Sequence, residues 1–208
     1  MDSSNPLDDT DGDGTCNAGD STPHGDVSLS FGEAEQMSIT IEYSSTNPIK
    51  GYQFRVNGVT LTDVTDGPFD VVEFYAETGM VIGFSMTGET LPVGDGTLVT
   101  MEFEAIDGGS EISLSDIVFS AANSNEMYVS GPVPTTIPAC DNNDNDGICD
   151  VYDDDDDNDG VTDDNDSDPF DNFLCGDTDS DTCEDCLSGI SDIFDDGHDY
   201  DGDGACDA

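Results

Sequence analysis

The sequence predicts an all-β core, a two-sheet antiparallel sandwich of about nine strands, flanked by irregular acidic segments that cannot fold unaided. Three observations lead there. Apolar residues alternate with period two in short runs between residues 26 and 129, and no segment carries a convincing helical period. The charge is extreme: 208 residues carry 50 Asp+Glu against 2 Lys+Arg, a formal net charge of −48. All seven cysteines lie outside the alternating region.

The strands follow in order. Val27, Leu29 and Phe31 form the first row. Met37, Ile39, Ile41 and Tyr43 form the next, with Ser38, Thr40 and Glu42 on the opposite face. Tyr52, Phe54 and Val56 come third, then Val72, Phe74 and Ala76. Met80, Ile82, Phe84 and Met86 make another apolar row. Val99, Met101, Phe103 and Ala105 face away from Thr100, Glu102 and Glu104. Ile112 with Leu114, and Ile117 with Phe119, read as two strands, and residues 127–129 as a short last one. Turn signals separate the runs: Asn57-Gly58, Asp66-Gly67-Pro68, Gly94-Asp95-Gly96 and Asp107-Gly108-Gly109. Short strands with one apolar face each bury it by packing two sheets together.

Charge divides the chain. Residues 1–23 hold 6 acids and form an N-terminal acidic segment. Residues 24–131 form the sandwich, with Lys50 and Arg55, the only basic residues. Residues 132–139, with Pro132, Pro134 and Pro138, read as a stiff linker. The remainder, 140–208, is an acidic stalk without Lys or Arg. Such flanks are disordered on composition alone unless something other than a core orders them. A polyanion of this strength does not bind nucleic-acid phosphates or an anionic membrane surface unaided. No apolar run approaches the roughly 18–20 residues of a membrane helix.

Cys16, Cys140, Cys149, Cys175, Cys183, Cys186 and Cys206 punctuate the core-poor flanks. That usage reads as disulfide stapling in an oxidising, extracellular compartment. Cys140–Cys149 and Cys186–Cys206 are plausible pairs, but spacing does not determine connectivity. The odd count leaves one thiol unpaired or paired with another chain. The N-terminus lacks the charged and apolar regions of a signal peptide, so such a leader is expected to have been removed, or the chain to be a segment of something longer.

The acids follow a template. A calcium loop places oxygen ligands at positions 1, 3, 5, 7 (a backbone carbonyl), 9 and 12, with Gly at 6 for the sharp turn. Asp9, Asp11, Asp13, Thr15, Asn17 and Asp20 fit it around Gly14. Asn142, Asp144, Asp146, Ile148, Asp150 and Asp153 fit it around Gly147. Asp155, Asp157, Asp159, Val161, Asp163 and Asp166 fit it around Gly160. A fourth loop is degraded: Asp177, Asp179, Asp181 and Asp185 fit, but Thr182 replaces Gly and Ser188 sits at position 12. In a fifth, Asp199, Asp201, Asp203, Ala205 and Asp207 fit around Gly204, and the sequence stops before position 12. A solvated acidic tail is the alternative, and it leaves the repeated Gly at position 6 unexplained. The expected cofactor is therefore Ca²⁺, four ions or more. The amphipathic flanking helices of paired EF-hands are missing. Cys183-Glu-Asp-Cys186 lacks the second Cys/His pair of a zinc site.

Particular residues resemble those of two families. The series Asn142-x-Asp-x-Asp-Gly-Ile, continuing through Asp159-Gly-Val to Asp168-Pro169, resembles thrombospondin type 3 repeats and overlaps the dockerin loop pattern. The resemblance implies a string of Ca²⁺ ions in place of a hydrophobic core, with disulfides tying the loops. In the middle, Met37-x-Ile-x-Ile, Ile49-Lys-Gly-Tyr-Gln-Phe54, residues 96–103 and Ile112-x-Leu-x-Asp-Ile-Val-Phe119 resemble a cohesin module. That resemblance implies a nine-stranded jelly roll and a dockerin-like partner. A sandwich serving only as a rigid spacer is the alternative.

Residues 9–18 and 199–208 are identical at seven of ten positions. The match reads as one period of a tandem array, or as a protomer whose last site a neighbour completes; two copies of a common loop are the third possibility. A head-to-tail contact that does not close gives a filament. The expected function is accordingly an extracellular structural or adhesive calcium-binding protein that assembles head-to-tail. The alternative is a binding module whose sandwich takes a dockerin-like partner or a carbohydrate. No Ser-His-Asp set, HExxH or phosphate loop is present, so an enzyme is not expected. Asn165-Asp-Ser167 is a glycosylation sequon inside the third loop, and Thr135 and Thr136 are candidate O-glycan sites.

Overall fold

The computed structural model describes residues 9, 15, 19–65, 67–194, 196, 197 and 200. The chain divides into two compact units, Met1–Ala139 and Cys140–Ala208.

The first unit is an all-β sandwich. Its strands are β1 (Asp26–Ala34), β2 (Ser38–Ser45), β3 (Ile49–Asn57), β4 (Leu61–Thr65), β5 (Val71–Tyr75), β6 (Met80–Phe84), β7 (Gly94–Phe103), β8 (Ser110–Ala121), β9 (Tyr128–Ser130) and β10 (Thr135–Ile137). One sheet has the order β4-β7-β2-β1-β9 and the other β10-β8-β3-β6-β5. All pairings are antiparallel except β1 with β9, which is parallel through Asp26 opposite Tyr128 and Ser28 opposite Ser130. The alternating residues of both inner faces meet between the sheets: Val27, Leu29, Ile39 and Ile41 from one, Phe54, Val81, Ile112 and Phe119 from the other, all buried. Tyr52 stacks on Phe54, Phe69 and Phe119 with ring centroids 5.6–5.8 Å apart.

The ten strands differ from the expected nine in three places. The two segments expected around residues 112–114 and 117–119 are one strand, β8. A bulge lies at Asp116, held at φ 51, where the register to β3 shifts between Gln53 and Arg55. The extra residue reverses the alternation, so Ile112 and Phe119 both point inward. The Asp116 carboxylate accepts from Arg55 Nε at 3.0 Å, an exposed pair that contributes little to stability. β4 carries its own irregularity, between Leu61 and Asp63, so its buried residues, Leu61 and Val64, are three apart and show no period of two. β10 lies within the expected linker. It pairs with β8 at the sheet edge, where flanking prolines are tolerated, and buries Ile137 completely.

β6 also faces the other way from its apolar row. Val81 and Gly83 are buried, whereas Phe84 and Met86 are 41% and 79% exposed. Gly83 is required there: a Cβ on it would lie 2.1 Å from Tyr52 Cζ. The aromatic ring takes the space a side chain would need. Ile82 and Phe84 therefore lie on the outer face beside Val118, along a shallow hollow that also includes Gln53.

The second unit has no strand among its described residues. The one regular element among those residues is a single 3-10 turn, Asp163–Asn165. Order comes instead from tight turns, from Asp side chains that accept backbone N–H groups, and from disulfides.

Candidate metal centre

The acidic unit is built from one local design used three times. In the loops starting at Asn142, Asp155 and Asp177, position 4 is left-handed: Asn145 at φ 62, Asn158 at φ 58 and Ser180 at φ 67. Position 6 is left-handed again, at Gly147, Gly160 and Thr182, with φ 100, 96 and 78. Two reversals in three residues curl the backbone, and alternate carboxylates then turn to its concave side. The Asp at position 3 accepts the N–H of position 5 in each loop, at 2.9 Å (Asp144), 3.1 Å (Asp157) and 3.3 Å (Asp179). The Asp at position 5 accepts the N–H of position 7 at 2.8 Å in Asp146, Asp159 and Asp181. The Asp at position 9 reaches back to the N–H of position 2: Asp150 to Asn143 at 2.8 Å, Asp163 to Asp156 at 3.0 Å, Asp185 to Thr178 at 2.8 Å. Each carboxylate thus spends one oxygen on the backbone.

In each loop three carboxylates converge, and the expected ligands Asp150 and Asp163 at position 9 are not among them. Asp144, Asp146 and Asp153 each place a carboxylate oxygen within 4.8 Å of the others. So do Asp155, Asp157 and Asp159, and so do Asp177, Asp179 and Asp185. The second of these clusters is the most buried, with Asp157 at 7% and Asp159 at 0% exposure. Asp155 Oδ1, Asp157 Oδ2, Asp159 Oδ2 and Asp166 Oδ2 are buried without a hydrogen-bond partner. Two like charges 4.8 Å apart repel by about 3 kcal/mol at an effective dielectric of about 20. Burial pushes the Asp157 carboxyl up to about 6, against the Asp159 N–H bond that lowers it, and neighbouring Asp159 and Asp166 raise it further. Asp159 is raised as well, chiefly by burial.

The expected ligands are distributed as follows. Asn142 Oδ1 accepts from Asn145 N at 2.8 Å, which holds the first turn of its loop. Ile148 and Val161 supply the position-7 backbone, their N–H groups fixed by Asp146 and Asp159. Asp166 gives its second oxygen to Asp168 N at 2.7 Å. Asp181 falls in a group with Cys183 and Asp196 rather than with Asp177. Asp11, Asp13 and Asn17 of the N-terminal loop, and Asp199 with residues 201–207 of the last one, lie outside the described residues.

Two buried acids were not among the expected ligands. Asp156, 6% exposed with Oδ1 unpartnered, is pushed up to about 6 by burial and then by Asp163, Asp150, Asp153 and Asp144. Its place inside an unbroken run of five Asp residues hides it from spacing rules. Asp196 falls on no template at all.

Disulfides close the unit. Cys140–Cys149 has the expected pairing, with Cα atoms 5.9 Å apart. Cys186 pairs with Cys175, at a Cα separation of 5.6 Å, and not with Cys206, its plausible partner in the sequence. Cys183 is disulfide-bonded too. No thiolate of the Cys183–Cys186 pair is therefore available to a soft metal. Among the described residues, the donors that remain in these groups are oxygens, the set preferred by a hard cation such as Ca²⁺.

No family model matches the chain, and no curated protein matches it. Among solved structures the chain is similar to a non-cellulosomal cohesin from the hyperthermophilic archaeon Archaeoglobus fulgidus, at 15% identity and a TM-score of 0.44, over 56% of this chain and 92% of that one. It is also similar to a type I cohesin–dockerin complex from Clostridium thermocellum, at 11% identity and a TM-score of 0.42, over 54% of this chain and 91% of that one. A third similarity is to a cohesin module of a family 33 glycoside hydrolase from Clostridium perfringens, at 14% identity and a TM-score of 0.40, over 55% and 96% of the two chains. Likeness at this level is too loose to carry family or function.

Proposed function

We propose that the chain is an extracellular structural protein whose acidic unit folds around several Ca²⁺ ions and carries the β-sandwich. The supporting observation is the set of buried, unpartnered carboxylate oxygens on Asp155, Asp157, Asp159 and Asp166. Buried charge persists only when paired or metal-bound. The two basic side chains are engaged within the sandwich, Lys50 with Ser124 at 2.8 Å and Arg55 with Asp116. Each Ca²⁺ would cancel two charges and order about a dozen residues, so that metal binding is folding for this unit. Disulfides in an intracellular chain would be exceptional, which favours secretion. The near-identity of residues 9–18 and 199–208 supports head-to-tail assembly of copies into a fibre.

A second reading, a binding module, is favoured by the apolar outer face of β6. Ile82, Phe84 and Val118 line a hollow there, where a solvent-facing sheet would ordinarily be polar. A dockerin-like partner or a carbohydrate is the ligand this reading assigns.

Limited proteolysis of the full chain tests the calcium reading. A chymotrypsin-type protease meets exposed Phe170, Phe173 and Phe194 in the acidic unit. Resistance in millimolar Ca²⁺ and rapid cleavage of residues 140–208 after chelation is the expected result. The same fragments at the same rate in both conditions would sink it.

A further inference from the structure

By the template, the fourth loop is one ligand short. Position 12 is Ser188, an exposed residue whose hydroxyl donates to Ile190 O at 3.2 Å. Cys183 is oxidised and offers no thiolate. The loop nevertheless keeps the backbone frame of the third. Thr182 N donates to Asp177 Oδ2 at 2.9 Å, as Gly160 N donates to Asp155 Oδ2 at 3.1 Å.

What fills the gap comes from eight residues further along the chain. Asp196 is 7% exposed, and its Oδ2 is buried with no hydrogen-bond partner. One of its carboxylate oxygens lies within 4.8 Å of one from Asp181. Asp185, 1% exposed, has Oδ1 buried and unpartnered and converges with Asp177 and Asp179 within the same distance. Two deeply buried carboxylates with unsatisfied oxygens thus meet the acids of this loop, Asp185 grouped with Asp177 and Asp179, and Asp196 with Asp181. Residues 140–208 contain no Lys or Arg to meet them.

We propose that Asp196 supplies the carboxylate missing at position 12 and, with Asp177, Asp179, Asp181 and Asp185, completes a fourth site for a hard divalent cation, Ca²⁺. This rests on the reading of the loops as calcium sites. The ligand arrives from outside the twelve-residue template, so the segment after Ile190 is held to the loop by the ion.

The experiment is a Ca²⁺ titration of the full chain followed residue by residue through backbone amide NMR signals. It compares the unaltered chain with Asp196→Asn and with Asp192→Asn, an exposed acid that removes the same charge nearby. Expected is a shift of the Thr182 and Cys183 midpoints to at least tenfold higher Ca²⁺ in Asp196→Asn alone, with Gly160 and Val161 unmoved. Thr182 and Cys183 midpoints within twofold of the unaltered chain would overturn the assignment. So would an equal shift in Asp192→Asn, or a common shift at both loops. If the unaltered chain shows no titration anywhere, the calcium reading itself fails. Titration there with an indifferent Asp196→Asn defeats the Asp196 assignment alone.

Discussion

Thr182 sits at φ 78, a left-handed conformation that a β-branched residue adopts only under strain. The equivalent residues of the two preceding loops are glycines. Replacing Thr182 with Gly removes about 1–2 kcal/mol of backbone strain at this position. Thr182→Gly is therefore expected to raise the thermal midpoint of the acidic unit in Ca²⁺; a lowered midpoint would show that the Thr side chain contributes more than its strain costs. Asn145 and Asn158 solve the same problem at position 4 with a residue type that tolerates the left-handed region. Gly147 and Gly160 are legible in the sequence for that reason, whereas Asn145 and Asn158 lie at a position the template leaves open. Asp156 and Asp196 are not legible, because Asp156 lies inside an unbroken run of Asp and Asp196 falls on no template position.

Among the elements, the loops and strands obey local rules until a neighbour overrules them. β1 and β2 show their alternation openly because they pair in step from Val27 to Phe31, before their register shifts. β4 and β8 hide theirs behind bulges, and β6 reverses its apolar row because the Tyr52 ring occupies the space inside Gly83. In the third loop, the raised Asp156 and Asp157 carboxyls give the unit an unusual pH response. Both titrate near 6 in the folded chain, against about 3.9 for an unperturbed Asp. Between those values the folded, metal-free unit holds protons that the unfolded chain has lost. Whatever fraction of the unit stays folded in chelator should therefore rise as pH falls from 7 toward 5, the reverse of ordinary acid denaturation. Ca²⁺ competes with the same protons, so its binding midpoint should move to higher concentration over that interval. Denaturant unfolding in chelator at both pH values, with a matched Ca²⁺ titration, measures the two slopes; equal stability at pH 7 and 5 would count against the buried state of these acids.

For the whole molecule, two units stabilise themselves by different physics. The sandwich buries aliphatic and aromatic side chains between sheets, and the hydrophobic effect holds it without regard to calcium. The acidic unit buries carboxylates, and its fold depends on what neutralises them. If copies join head-to-tail through the matching end sequences, negative-stain electron microscopy in millimolar Ca²⁺ should show fibres that shorten or dissolve on chelation. Single particles in both conditions would remove the fibre and leave the binding-module reading, with the Ile82–Phe84–Val118 face as the place to seek a partner.

The amino-acid sequence by itself determined the β-sandwich, its placement between acidic segments, and the repeated loop template, because period-two alternation and alternate Asp spacing are short-range patterns. It made the Cys140–Cys149 pair plausible, and the structure closes it across one short loop. The tertiary structure alone decided that Cys186 joins Cys175, that Ile137 completes the core from what reads as a linker, that β6 turns its apolar row to solvent, and that Asp156 and Asp196 are buried among other carboxylates. Each of these depends on which distant side chain occupies a given volume, and volume is not written in the local order of residues.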